Sequence, residues 1–230
     1  MIKLEHVVLA SPEQMSFIIQ GLRNPMNSWE KSDSGICNPT EKCYYSCNKV
    51  RCVDANHFHL GENDRSLMQR LAKAGTDHRK FMRMMPVFVR ITAGHTWWGE
   101  FDTYKVGTVR NSCSKMHKIH IMEFELDSFD HEGIDEVGGV AVETLDKVRA
   151  ALIWLAKKFN ETKEKKYWRA IIELLPMGFH LTANVMLNYE VLANIYHSRK
   201  NHKLEEWQEF CEWIESLPYS ELITGEANDV

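Results

Sequence analysis

The chain of 230 residues is long enough to bury a core without cross-links, and its 44% hydrophobic and 26% charged residues, with 12 Gly and 6 Pro, exclude a disordered, collagen-like or repeat-stacked chain. With 28 Lys and Arg against 32 Asp and Glu the net charge is −4, which argues against a nucleic-acid polymer as partner and against a polybasic membrane anchor, so any anion site must be local. The opening apolar run is too short for a signal peptide and nowhere do 18 apolar residues run together, so the expectation is a cytoplasmic protein with no membrane partner.

Residues Lys3 to Leu9 read as a short strand. Ser11-Pro12-Glu13 then opens a helix through Leu22, with Pro at its first position and Gly21 to Pro25 as its stop. From Asn24 to His59 periodicity is lost among Gly, Pro, Asn, Ser and four cysteines, which marks a long loop with a Cys-rich insertion at about 33–60. Asp64 to Ala74 reads as a helix with Leu67, Met68 and Leu71 on one side and Gly75 after it. Phe81 to Ile91 is apolar and partly alternating, a strand whose Pro86 asks for an edge or a bulge. Steps of three and four through positions 141, 145, 148, 152, 155 and 159 predict an amphipathic helix over Val140 to Phe159. Further helices are expected at Tyr167 to Leu175, halted by Pro176, at Thr182 to Ser198, and around Leu204, Trp207, Cys211 and Ile214. The order predicts an α+β fold in one domain spanning 1–230, without internal repeats.

Thr103 to Lys118 carries Lys105, Arg110, Lys115 and Lys118, five hydroxyl side chains and no acid. Such a stretch suits an anion, because hydroxyls add neutral donors and Arg or Lys supplies charge. It equally suits a solvated basic loop balancing the seven acids of Glu123 to Glu136. A second basic cluster, His197 to Lys203, closes the helix expected from Thr182, where Asn188 and Arg199 stand nearly three turns apart on one face; the alternative is simple complementation of the helix dipole.

Cys37, Cys43, Cys47 and Cys52, followed by His57 and His59, could hold a structural zinc that orders the insertion, although the spacing lacks the short CxxC knuckle and also fits an ordinary reduced loop. Cys211 belongs to an apolar helical face, whereas Cys113 sits among basic and hydroxyl neighbours. Trp97, Trp98, Trp168, Trp207, Met82, Met84 and Met85 read as core. No paired acid/base carboxylates, Gly-x-Ser-x-Gly or Cys/His nucleophile order can be made out.

Two segments together resemble the flavin-dependent thymidylate synthases. Leu175-Pro-Met-Gly-Phe-His-Leu-Thr-Ala-Asn-Val-Met-Leu-Asn188, with Leu192, Asn194 and Arg199 after it, is similar to that family's Leu-Pro turn and the helix bearing two asparagines and an arginine. Ile91 to Lys115 occupies the place of the family signature, an Arg-His-Arg triplet followed by Ser, Asn or Glu, Ser and Arg. Here Thr103, Tyr104 and Lys105 replace the triplet, Thr108 stands for a serine, Asn111 for the acidic or amide position, Cys113 for another serine and Lys115 for the last arginine, while Glu100 takes the place of a glutamine. Gly75-Thr-Asp-His78 resembles the family's Gly-His segment. The likeness covers about two-thirds of the chain, from Gly75 onward plus the opening strand.

The resemblance implies an interlocked homotetramer in which FAD relays hydride from NADPH and a one-carbon unit passes from methylene-tetrahydrofolate to C5 of dUMP or a related pyrimidine deoxynucleotide. It implies substrate contacts from Glu100, Asn111, Cys113, Ser114, Lys115 and Arg199, and cofactor contacts from His78, Thr103, Tyr104, Lys105, Thr108, Asn188 and Asn194. No protein nucleophile is required, since the cofactor carries the electron chemistry. Lys105 cannot reproduce the planar two-point fork of an arginine, which leaves open a changed substrate or a nucleotide-binding or sensing protein without catalysis. An interaction protein working through its insertion is the third reading.

Overall fold

The computed structural model describes residues 1–37 and 57–225. In chain order the elements are β1 (Lys3–Leu9), α1 (Pro12–Arg23), β2 (Gly35–Ile36), β3 (Phe58–His59), α2 (Glu62–Lys73), α3 (Lys80–Arg83), β4 (Pro86–Gly94), α4 (His95–Phe101), β5 (Val109–Ser112), α5 (Lys115–Lys118), α6 (Glu132–Val137), α7 (Val140–Thr162), α8 (Lys165–Leu174), β6 (His180–Asn188), α9 (Tyr189–Arg199), α10 (Glu205–Glu215) and α11 (Glu221–Thr224). The fold is α+β, with a four-stranded sheet in the order β1-β4-β6-β5 and an antiparallel pair β2–β3 joining Gly35 to His59 and Ile36 to Phe58. The chain divides into two compact units: residues 1–6, 89–105 and 110–185 form the first, and the described residues of 7–88, 106–109 and 186–225 the second.

In the first unit, α7 packs against α8, burying Leu145, Leu152, Ala156 and Ile171 as the spacing of three and four requires. Trp97, Trp98 and Phe101 on α4 form a second cluster, with Trp97 and Phe101 stacked at 4.9 Å and Trp98 edge-on to Phe101 at 5.4 Å. The turn from β4 into α4 is closed by Gly94, where a Cβ would lie 1.9 Å from Asp130 Oδ2, so only glycine lets that carboxylate approach. Asp130 in turn accepts from His180 Nε2 at 2.8 Å.

In the second unit, α1 begins as expected, with the Ser11 hydroxyl accepting from the Gln14 amide and Gln14 returning the bond, a capping box ahead of buried Met15, Ile18, Ile19 and Leu22. The end of α1 is tied to α2 by the buried pair Arg23–Asp64, 2.6 Å apart, and the Asp64 carboxylate also accepts from the hydroxyls of Ser32 and Ser34 at 2.7 and 2.6 Å. Burial pushes the Asp64 carboxyl up, but the hydrogen bonds of Ser34, Ser32 and Arg23 outweigh it and leave it below the ordinary carboxylate range. Helix α9 is buried along most of its length and packs on α3, α10 and α11.

Two expected elements differ. Thr182 to Ser198 is not one helix: His180–Asn188 is a strand and α9 starts only at Tyr189. Leu181, Ala183, Val185 and Leu187 are buried and alternate with Thr182, Asn184 and Met186, a period of two that the following helical run hides. Phe81 to Ile91 likewise splits into the short α3 and β4, and Pro86 sits neither on an edge strand nor in a bulge but at the first residue of the inner strand β4, where no ladder hydrogen bond is lost. Met82 and Met85 are core as expected, while Met84 is exposed.

Candidate functional site

The first unit gathers Glu100, Thr103, Tyr104, Lys105, Asn111, Cys113, Ser114 and Lys115; His78, Thr108, Asn188, Asn194 and Arg199 belong to the second. Each set has its own geometry.

In the first unit, the strand-to-helix switch at Gly94 fixes His95, whose amide donates to the Met177 carbonyl at 2.8 Å. Lys115, the first residue of α5, donates from Nζ to His95 Nδ1 at 3.4 Å. Burial, then the charges of Lys115 and Arg110, lower the His95 pKa below its ordinary 6.5, so the imidazole is neutral and its proton sits on Nε2. That Nε2 is buried with no hydrogen-bond partner among the described residues. Burial also holds the Lys115 ammonium below the ordinary lysine range, partly offset by nearby Cys113.

Arg110 is pinned three ways: Nε donates to Ser112 Oγ at 2.6 Å, Nη1 to Asp102 Oδ1 at 2.7 Å, and its guanidinium carbon lies 3.9 Å above the Trp98 ring. Trp98 is itself fixed by its Nε1 donating to the Leu181 carbonyl at 3.0 Å. The Thr103 hydroxyl is turned inward, donating to the Glu100 carbonyl at 2.7 Å, and the Tyr104 amide donates to the Phe101 carbonyl. Lys105 and Asn111 are exposed. The Cys113 thiol is exposed while its amide donates to the Thr182 carbonyl at 2.9 Å, and the Ser114 hydroxyl caps α5 by accepting from the His117 amide.

The acidic run makes no ion pair with these cations among the described residues. Four of its seven carboxylates pair elsewhere within the unit: Asp130 with His180, Glu132 with the N-terminal ammonium, Asp135 with His131 and Glu125 with Arg149. Lys105, Lys115 and Lys118 have no ion-pair partner among the described residues, so the loop presents cationic groups that internal acids do not neutralise. Such a surface attracts an anion.

In the second unit, Asn188 is the N-cap of α9 rather than a residue of its stripe, its Oδ1 accepting from the Val191 amide at 3.0 Å. Gly107 has φ +79, and a Cβ there would meet Asn188 Nδ2 and Val191 Cγ2 at 3.0 Å, so the loop lies directly on the start of α9. The Thr108 hydroxyl beside it is buried without a partner among the described residues. Asn194 is exposed and its Oδ1 receives a long 3.5 Å bond from Arg79 Nη2. Arg199 lies with its guanidinium carbon 4.8 Å above the Trp207 ring. His78 stands, with Asp77 and Lys80, at an otherwise apolar cavity of about 460 Å3 walled by Leu22, Leu71 and Phe81.

Residues that the sequence did not single out hold both sets in place. Glu190 is buried and accepts from Arg79 Nε at 3.1 Å and from Arg83 Nε, and these bonds outweigh the upward push of burial to keep its carboxyl below the ordinary range. An acid inside an otherwise apolar helix was the available signal; for His95 it was a histidine immediately after the glycine that ends β4. Of the proposed zinc ligands, Cys43, Cys47 and Cys52 lie outside the described residues; Cys37 is buried, and no group of metal ligands occurs among the described residues. No helix among them is long and apolar enough to cross a membrane.

The sequence matches no protein-family model and no curated protein. Two solved structures of the flavin-dependent thymidylate synthase ThyX from Helicobacter pylori, each holding FAD and dUMP, share its fold. One aligns with a TM-score of 0.61 at 15% identity, covering 96% of this chain and 95% of its own. The other aligns with a TM-score of 0.60 at 14% identity, covering 96% and 94%. The resemblance carried by Ile91 to Lys115 and Leu175 to Arg199 is borne out at the level of the fold.

Proposed function

We propose that the chain is a flavin-dependent enzyme that transfers a one-carbon unit to a pyrimidine deoxynucleotide, dUMP or a close relative. The observation that carries this reading is that a chain sharing its fold with FAD- and dUMP-bound ThyX along 96% of its length presents, on one loop of its first unit, three lysines, Lys105, Lys115 and Lys118, that have no ion-pair partner among the described residues.

In this reading Lys115 receives the anionic part of the nucleotide, and neutral His95 positions it. A protonated imidazole 3.4 Å away would instead repel the ammonium by about 1 to 5 kcal/mol, depending on the local dielectric. Arg110 is already committed to Asp102 and Ser112, which makes it a brace for Trp98 rather than a ligand. Glu100, Asn111, Cys113 and Ser114 are the other substrate contacts of the first unit; Arg199 is assigned to the nucleotide by the resemblance alone.

For FAD the second unit offers a fitting set of donors: Asn188 Nδ2, left over after capping, Asn194 Nδ2, and the buried Thr108 hydroxyl, which lacks a partner among the described residues. Lys105 with Tyr104 is assigned to its phosphate region, Thr103 beside them to the cofactor set, and His78 to the folate that would deliver the one-carbon unit. When bound, FAD supplies the hydride chemistry, with NADPH as the source of electrons. The protein's own share is to orient both ligands and to hold charge at Lys115.

A second reading, a nucleotide-binding or sensing protein without catalysis, is favoured by one observation. At the triplet position the Thr103 hydroxyl is spent on the Glu100 carbonyl and only Lys105 offers charge. Thermal shifts with dUMP, FAD and both together separate the two, since a ligand of the native state raises apparent stability. Stabilisation by both ligands supports the enzyme, stabilisation by dUMP alone supports the sensor, and no shift with either contradicts both.

A further inference from the structure

The turns after α1 and one side of α2 line an open cavity of about 420 Å3 in the second unit that none of the roles above uses. Arg23, Lys31 and Arg70 line it together with the neutral donors Ser28, Asn63 and Ser66, and among the described residues no Asp or Glu does. Its size falls within the range of small-molecule sites, about 300 to 1,000 Å3.

The three cations differ in a way that suits recognition. Arg23 is fixed: its side chain is 5% exposed, Nε donates to Asp64 at 2.6 Å and Nη1 to the Ser28 carbonyl at 3.2 Å, while Nη2 has no partner among the described residues. Lys31 and Arg70 are exposed, and neither has an ion pair or hydrogen bond among the described residues. Asp64 balances Arg23, so the cavity carries the equivalent of two uncompensated positive charges. Like charges around one cavity are unfavourable unless an anion sits between them, and a fixed guanidinium beside two exposed cations matches an anion with several oxygen acceptors.

We infer that this cavity binds a small molecule through a diphosphate or longer phosphate chain, with Arg23 as the fixed anchor and Lys31 and Arg70 closing on the outer oxygens. The inference uses no residue of the proposed dUMP and FAD sets and stands whether or not that proposal holds.

Titration calorimetry of the full chain with inorganic pyrophosphate at low ionic strength tests it. Saturable binding is expected, weakened at least tenfold by Lys31→Ala and again by Arg70→Ala. Both substituted residues are exposed, so the variants should unfold at the temperature of the parent without ligand, which separates lost binding from lost folding. Displacement of pyrophosphate by a nucleoside triphosphate would identify a nucleotide as the source of the phosphates, and its absence a free polyphosphate; either supports the site. No binding by the parent, or binding that Lys31→Ala and Arg70→Ala leave within twofold, overturns it.

Discussion

Lys115 Nζ donates to His95 Nδ1 across 3.4 Å, and this bond requires the imidazole to be neutral. The pair therefore presents one positive charge, on Lys115, and a second donor, His95 Nε2–H, that no described residue satisfies. Both donors stand in the unit where Lys105, Lys115 and Lys118 have no ion-pair partner among the described residues.

Replacing Lys115 with Ala should weaken dUMP binding by about 1.5 to 3 kcal/mol, the range for a hydrogen bond to a charged group, or roughly 10- to 150-fold. Titration calorimetry measures it, and an unchanged affinity would remove Lys115 from the site.

The neutral imidazole makes stability depend on pH. The folded-state pKa of His95 lies below its ordinary 6.5, so above that value folded and unfolded chains are both neutral there. As pH falls through 6.5 the unfolded chain takes up a proton that the folded chain refuses, and stability is lost until the folded pKa is reached. His95→Asn should flatten this part of the profile. Denaturant unfolding of parent and variant between pH 7.5 and about 5 checks it; parallel profiles would contradict the assignment.

Glu190→Gln should destabilise the second unit. The carboxylate is buried, and its loss leaves Arg79 and Arg83 without their common acceptor; because Arg83 is half exposed, the cost is about 1 to 3 kcal/mol rather than that of a fully buried pair. Since the folded pKa of Glu190 is lowered, this stabilisation is present above about pH 4.5 in the parent and fades as acid protonates the carboxylate. Urea unfolding at pH 7 should show the difference.

Two glycines should respond oppositely to alanine. Gly107→Ala places a side chain at φ +79 against Asn188 and Val191 and should cost about 1 to 2 kcal/mol, whereas Gly99→Ala, inside α4 with nothing within 4 Å of its Cβ, should gain about 0.5 to 1 kcal/mol. Paired melting curves report both. Equal shifts would show that the loop does not bear on the start of α9.

What was legible in the sequence was whatever repeats with a single period. Lys3–Leu9, the capped α1 and the long α7 were read from spacing and caps. His180–Asn188 was not, because its alternation runs straight into the apolar face of α9 without a Gly or Pro between them, and the N-cap Asn188 resembles any polar helical residue. The site was legible as residue types and hidden as geometry. Lys115 and Asn188 could be named from their neighbours, but that Arg110 is spent on Asp102, that Glu190 gathers two arginines, and that His95 stands at Lys115 are consequences of long-range packing that spacing does not encode.

The central claim, that the chain works with a bound flavin on a pyrimidine deoxynucleotide, is tested most directly by the visible absorption spectrum of the purified protein after incubation with FAD and removal of unbound cofactor, followed by addition of dUMP. Flavin absorption that stays with the protein and shifts when dUMP is added is the predicted result; a colourless protein whose spectrum neither FAD nor dUMP changes would contradict it.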